Sequence, residues 1–154
     1  MYKRQQGKLK LTCSHTNINK LLETIIEQYY PLANKKHILI DYNYPEAKIF
    51  AWIDINKFEK IIHNLLSNAI KFTNEKGKIF IDLKIEKSSL EYPDGLLEVI
   101  VKDNGRGISS DDLNNIFTRF YQVKNTNKPN DGVGIGLALS QSLANIHGLS
   151  LIHI

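Results

Sequence analysis

Three short stretches of this sequence carry residue types suited to chemistry. In "DINKFEKIIHNLLSNAIKFT" (54–73), Asn64, Asn68 and Lys71 recur at intervals of four and three. On a helix they fall within about 60° of one another, flanking an arc of Phe58, Ile61, Ile62, Leu65 and Ala69. Amide oxygens are hard ligands suited to Mg²⁺, which takes few protein ligands beside phosphate and water. A lysine one turn further on is a point charge for a phosphate. The same spacing also fits a solvated polar face with both asparagines at its rim. In "VIVKDNGRGIS" (99–109), Asp103 ends an apolar run and could accept a hydrogen bond from an exocyclic amine, as a pocket for adenine requires. Gly105 and Gly107 permit backbone conformations and approaches that a Cβ would block. Asp-Asn-Gly is equally good material for an Asx turn. In "DGVGIGLAL" (131–139), Gly132, Gly134 and Gly136 precede a helix, where backbone N–H groups and the helix dipole can meet a phosphate. The spacing fits neither the dinucleotide fingerprint nor the Walker loop, and a bare hinge would need the same glycines.

Elements must hold these stretches in place. "NINKLLETIIEQYYPLA" has Ile18, Leu21, Leu22, Ile25, Ile26 and Tyr29 at helical spacing, which predicts a helix with Asn17 as N-cap. "KHILIDYNY" and "AKIFAWI" read as two short strands around Tyr44, Pro45 and Glu46. The long helix opens at Asp54 and ends near Thr73 and Asn74, with Gly77 beyond. "KIFIDLKIE" and "GLLEVIVKD" read as antiparallel strands joined by "KSSLEYPDG". "SSDDLNNIF" reads as a short helix capped by Ser or Asp, and "IGLALSQSLANIHG" as a final helix closed by Gly148. The polar stretch at 121–131 has no periodicity and is expected to be a flexible lid. This order predicts a two-layer α/β (α+β) sandwich, a mixed sheet with helices on one face.

Taken together, in this order and spacing, the stretches resemble the nucleotide-binding boxes of sensor histidine kinases. Those belong to the superfamily of ATPases that also holds gyrase, heat-shock chaperone and mismatch-repair members, with the Bergerat-type fold. "HNLLSNAIKFT" resembles the N box, "DNGRGI" the G1 box, "IFTRFYQ" the F box and "GVGIGLAL" the G2 box. The resemblance runs over roughly 6–148. It implies ATP and Mg²⁺ as ligands. Asn68 would hold the metal, with Asn64 beside it; Lys71 would contact phosphate, and Phe72 would line the site. Asp103 would bind the adenine amine, with Gly105, Gly107 and Ile108 shaping its pocket. Phe117 and Phe120 would anchor the lid, while Gly132, Gly134, Gly136 and Leu137 would face the phosphates. Arg119 fits a phosphate contact or a surface role, and His63 a surface or packing histidine.

Hydrolysing members of that superfamily carry a glutamate four residues before the metal-binding asparagine. Here that position is Asn64, and an amide takes no proton at neutral pH. The expected activity is therefore delivery of the ATP γ-phosphoryl group to a histidine, with Asn64 and Lys71 in catalytic positions. A hydrolysing ATPase and a nucleotide-binding regulatory module are the alternatives. None of His15, His37, His63, His147 and His153 has the surroundings of a family phosphoacceptor. The acceptor would lie in an upstream dimerisation segment, of which residues 6–16 look like the exit. A response-regulator receiver domain would be the further partner, reached through the parent kinase.

Composition bounds these expectations. The chain has 154 residues, 42% hydrophobic, with a formal charge of +4 and a single cysteine, Cys13. That supports one domain with a core and excludes an internal disulfide. The lysines are scattered among acids rather than forming a basic stripe, so no nucleic-acid partner is expected. No apolar run approaches the roughly 20 residues of a membrane span, so no direct membrane contact is expected, and the domain is read as cytoplasmic within a membrane-anchored parent. The two ends, "MYKRQ" (1–5) and "LSLIHI" (149–154), fit the two strands of one back-translated DNA sequence, that of a transposon-derived sequencing adapter. They are expected to be read-through without function, leaving an ATP-binding domain at 17–148 truncated at its C-terminus.

Overall fold

The computed structural model describes residues 10–86, 95–123 and 133–152. The elements are β1 (Ser14–Asn17), α1 (Ile18–Glu27), α2 (Tyr30–Lys35), β2 (Leu39–Asn43), β3 (Phe50–Ile53) and α3 (Ile55–Phe72). Then follow β4 (Lys78–Glu86), β5 (Leu96–Asp103), α4 (Ser110–Leu113) and α5 (Gly136–Ile146). Gly132, most of the expected lid and most of the loop 87–95 lie outside the described residues, as do 1–9 and 153–154.

The main sheet is mixed, in the order β2-β4-β5. β2 runs parallel to β4, from Leu39 opposite Lys78 to Asn43 opposite Asp82. A parallel pair needs a long crossover, which β3 and α3 supply. β4 and β5 are antiparallel, with Ile79 opposite Asp103 and Glu86 opposite Leu96. Along β4 the side chains alternate. Ile79, Ile81 and Leu83 are buried against α1 and α3, while Phe80 is exposed. One face of the sheet is thus covered by helices, as the α/β sandwich reading expects. β1 was not legible in the sequence. It pairs antiparallel with β3 in a separate two-stranded sheet, and its residues Ser, His, Thr and Asn show no apolar alternation.

Asn17 caps α1, accepting the Lys20 N–H at 3.1 Å, and Ile18, Leu22, Ile25 and Ile26 are buried. The single helix expected over this stretch is instead two. Pro31 cannot continue a helix, because it lacks an N–H and its ring meets the carbonyl four residues back. It is tolerated in a first turn, and α2 begins there.

α3 is buried on two sides. Phe58, Ile62, Leu66, Ala69 and Ile70 face the sheet, whereas Ile61 packs with Leu143 and Ala144 of α5. The expected core position Leu65 is only partly buried and belongs to the α5 side, with Leu66 taking its place in the main core. Truncating Leu66 to alanine would cost about 2–5 kcal/mol. The N-terminus of α3 is held by Asp54, whose carboxylate accepts the N–H groups of Lys57 (3.2 Å) and Thr12 (2.9 Å) and pairs with Lys57 Nζ. The Lys57 ammonium and the Thr12 N–H hold this carboxyl well below the usual carboxylate range. The Asp54 N–H donates to Nε2 of His147 at 3.2 Å, and His147 Nδ1 lies 3.0 Å from the Leu143 carbonyl. A carbonyl only accepts, so Nδ1 carries the proton and Nε2 is the acceptor. This neutral histidine ties the end of α5 to the start of α3. Gly148 then closes α5 at φ +69°, and Leu151 packs onto the Ile61 cluster.

Candidate functional site

Asn64, Asn68 and Lys71 are all half-buried and line one flank of α3, as the helical spacing requires. Their environments differ. Asn64 donates from Nδ2 to the hydroxyl of Ser140 at 2.9 Å, and Ser140 is buried in α5. A Cβ at Gly136 would collide with the Asn64 amide oxygen. The carboxamide is therefore wedged between a hydroxyl and a glycine, with its orientation fixed. Asn68 has no hydrogen-bond partner for its carboxamide among the described residues. Lys71 extends over the Phe72 ring, Nζ 5.0 Å from the centroid, and the Arg106 guanidinium lies 4.7 Å from the same ring. Two cations thus stand by one aromatic face system, each contact worth about 0.5–1 kcal/mol where exposed.

Asp103 is exposed at the end of β5 and accepts the Gly105 N–H on Oδ1 at 2.8 Å. This is the Asx turn that the residues allowed. It leaves Oδ2 without a hydrogen-bond partner among the described residues, so the turn and an amine-binding role are compatible. Asn104 Oδ1 accepts the Lys78 N–H at 2.7 Å and fastens the loop to the start of β4. Gly105 packs so closely on the C-terminus of α3 that a Cβ would collide with the Phe72 carbonyl oxygen. Gly107 has φ +71° with open space around it, so its need for glycine is conformational rather than steric. Ile108 is half-buried.

The segment after α4 meets the glycines before α5. Phe120 N–H donates to the Gly134 carbonyl at 2.8 Å. Gly134, at φ +70°, lies against the backbone of Phe120 and Tyr121. Phe120, expected to anchor the base of the lid, has its ring 69% exposed, and its backbone, at φ +66°, makes the contact with Gly134. The neighbouring Ile116 is the buried apolar side chain, and Phe117 is half-buried. Tyr121 adds a latch, its hydroxyl donating to Asp112 Oδ1 at 2.5 Å. The Ser109 and Tyr121 hydroxyls draw the Asp112 carboxyl below its usual range, and Asp112 pushes the Tyr121 phenol up. Leu137 is half-buried in the first turn of α5, and Arg119 is exposed.

His63 takes the packing role that its reading as a surface or packing histidine allowed, its Nδ1 and carbonyl both 3.0 Å from the Tyr29 hydroxyl. Sequence reasoning missed Ser140 and Arg106. Ser140 sits four residues after Gly136, so a helical wheel of α5 could have placed it beside the glycine. Nothing local signals Arg106.

The donor set fits a small hard cation. An unpartnered carboxamide at Asn68 and an oriented one at Asn64 offer neutral oxygens one turn apart. Among the described residues no cluster of His, Cys, Asp and Glu competes as a metal centre.

Comparisons with known proteins bear on the fold and the family. Residues 53–153 match the family described as histidine kinase-, DNA gyrase B-, and HSP90-like ATPase. The sensor histidine kinase WalK of Bacillus subtilis is 29% identical over 132 residues, covering 85% of this chain and 21% of that protein. The aerobic respiration control sensor protein ArcB homolog of Haemophilus influenzae is 31% identical, covering 92% of this chain and 42% of that protein. The chain therefore spans less than half the length of these relatives. Among solved structures, the catalytic domain of histidine kinase ThkA aligns with a TM-score of 0.73 at 22% identity, covering 89% of this chain and 83% of that one, a likeness of fold. Full-length ShkA in complex with AMPPNP aligns with a TM-score of 0.73 at 28% identity, covering 92% of this chain and 27% of that one. With its fold, its flank of asparagines and lysine on α3 and its two glycine loops, this chain belongs to the HATPase_c family of histidine kinase-, gyrase B- and HSP90-like ATPases.

Proposed function

We propose that this chain is the ATP-binding catalytic domain of a sensor histidine kinase and delivers the γ-phosphoryl group of ATP to a histidine on a dimerisation segment. The observation that carries this reading is the oriented Asn64, held by Ser140 and backed by Gly136, where a hydrolysing relative would need a carboxylate base. The ShkA complex with AMPPNP supports a nucleotide as the ligand.

Asp103 would receive the adenine amine on its free carboxylate oxygen, and the Gly105 backbone would seat the base. Asn68 would hold Mg²⁺, which when bound neutralises phosphate charge, with Asn64 beside it near the phosphates. Lys71 would place its ammonium against the phosphates. Transfer to histidine needs no base on this domain. The imidazole nitrogen supplies the electron pair for the new N–P bond, and the bond from the γ-phosphorus to its bridging oxygen breaks as ADP leaves. Positioning and charge neutralisation then supply most of the catalysis. The phosphorylated histidine would in turn serve a response-regulator receiver domain.

Two measurements test the reading. Titration with ATP should show binding that Mg²⁺ strengthens, and Asn68→Ala should remove the Mg²⁺-dependent increment while sparing metal-free binding; equal losses in both conditions would take Asn68 out of the metal site. Steady hydrolysis of ATP by the isolated chain should be slow, and faster in Asn64→Glu, whose carboxylate Ser140 can meet as a donor. Rapid turnover by the unaltered chain would favour the hydrolysing ATPase instead.

A further inference from the structure

Lys36 lies on the turn between α2 and β2, outside every motif of the nucleotide site. Its Nζ donates to the carbonyls of Ile70 at 2.8 Å and Lys71 at 3.2 Å, with the Thr73 carbonyl at 3.5 Å. The last four carbonyls of a helix find no partner within it. Here one ammonium, reaching across 34 residues of sequence, takes up two of them and the carbonyl of the C-cap residue. A cation at this end also opposes the negative pole of the helix dipole. The Lys36 carbonyl in turn accepts the Lys76 N–H at 3.0 Å, so both its backbone and its side chain grip the turn that follows α3. The remaining carbonyl of that last turn, Phe72's, is the one against which Gly105 is packed.

We infer that Lys36 is a positioning residue for the base side of the nucleotide site. By holding the carbonyls of Ile70, Lys71 and Thr73 it fixes the final turn of α3, and with it the Phe72 carbonyl on which loop 103–107 rests. It touches no ligand itself. Asn64 lies two turns earlier and is fixed independently by Ser140, so the metal side is outside its grip. The inference rests on the nucleotide reading above and predicts an asymmetric defect that a general loss of stability would not produce.

The experiment is calorimetric titration of the full chain with ATP, in EDTA and in Mg²⁺, well below the melting temperature. Lys36→Met should weaken metal-free ATP binding at least fivefold, while the ratio of affinities with and without Mg²⁺ stays within twofold of the unaltered chain. Lys36→Arg, which keeps the donors and the charge, should bind within threefold of the unaltered chain. A smaller loss in Lys36→Met, a lost Mg²⁺ ratio, or an arginine variant outside threefold would overturn the inference. If Lys36→Met does not fold, Lys36→Gln takes its place under the same criteria. Asp103→Asn runs in parallel. If it too binds like the unaltered chain, the nucleotide reading of the site falls; if it alone loses affinity, only the role of Lys36 falls.

Discussion

Gly105 and Gly136 both press on α3, eight residues apart along the helix, yet against different kinds of atom. At Gly105 the obstacle to a Cβ is the Phe72 carbonyl, part of a backbone that Lys36 holds at its neighbouring carbonyls. At Gly136 the obstacle is the Asn64 carboxamide, the tip of a side chain with one hydrogen bond to Ser140. The base end of the site is thus built as backbone on backbone and cannot yield. The metal end is built as backbone on side chain, and its geometry changes with the identity of residue 64. Within one family fold, adenine recognition can stay fixed while the chemistry at the phosphates is altered by one substitution on α3.

The largest effect that follows is for Gly105→Ala. Because neither backbone can move away, the variant should lose about 2–3 kcal/mol of stability, as overpacked sites do, together with ATP binding. Urea unfolding followed by titration checks both, and an unchanged midpoint would mean that the base end is as adjustable as the metal end. Asp103→Asn should come next. The asparagine oxygen can still accept the Gly105 N–H, so the Asx turn and the melting temperature should survive. ATP affinity should nonetheless fall by about 1.5–3 kcal/mol, the range for a hydrogen bond to a charged group. A variant that loses stability as well would show that the carboxylate holds the loop rather than the ligand. Gly136→Ala should be smallest in stability. Displacing Asn64 from Ser140 costs about 0.5–1.5 kcal/mol. Alanine in the first turn of α5 returns up to about 1 kcal/mol of helix propensity. The melting temperature should therefore barely move, while the Mg²⁺-dependent part of ATP binding falls. Equal loss of stability in the two glycine variants would erase the distinction between the two ends.

Much of the site was legible because its signals are local. The helical spacing of Asn64, Asn68 and Lys71, the caps at Asn17 and Asp54, and the Asx turn at Asp103 each depend on a few consecutive residues. Leu65 and Leu66 show where that legibility stops. Both are apolar and adjacent, and a helix buried on a single side would favour the arc containing Leu65. α5 covers the opposite flank, so the core took Leu66 and left Leu65 to the second contact.

By itself the sequence determined most of the elements, the caps that open α1 and α3, and which types of side chain stand at the site, because propensity, capping and turn chemistry act over a few residues. Only the tertiary structure decided that β1 pairs with β3, that Ser140 orients Asn64 from 76 residues away, and that Lys36 caps the helix carrying the site. Those contacts join segments whose nearness is set by the path of the chain around the mixed sheet, and no local pattern encodes that path.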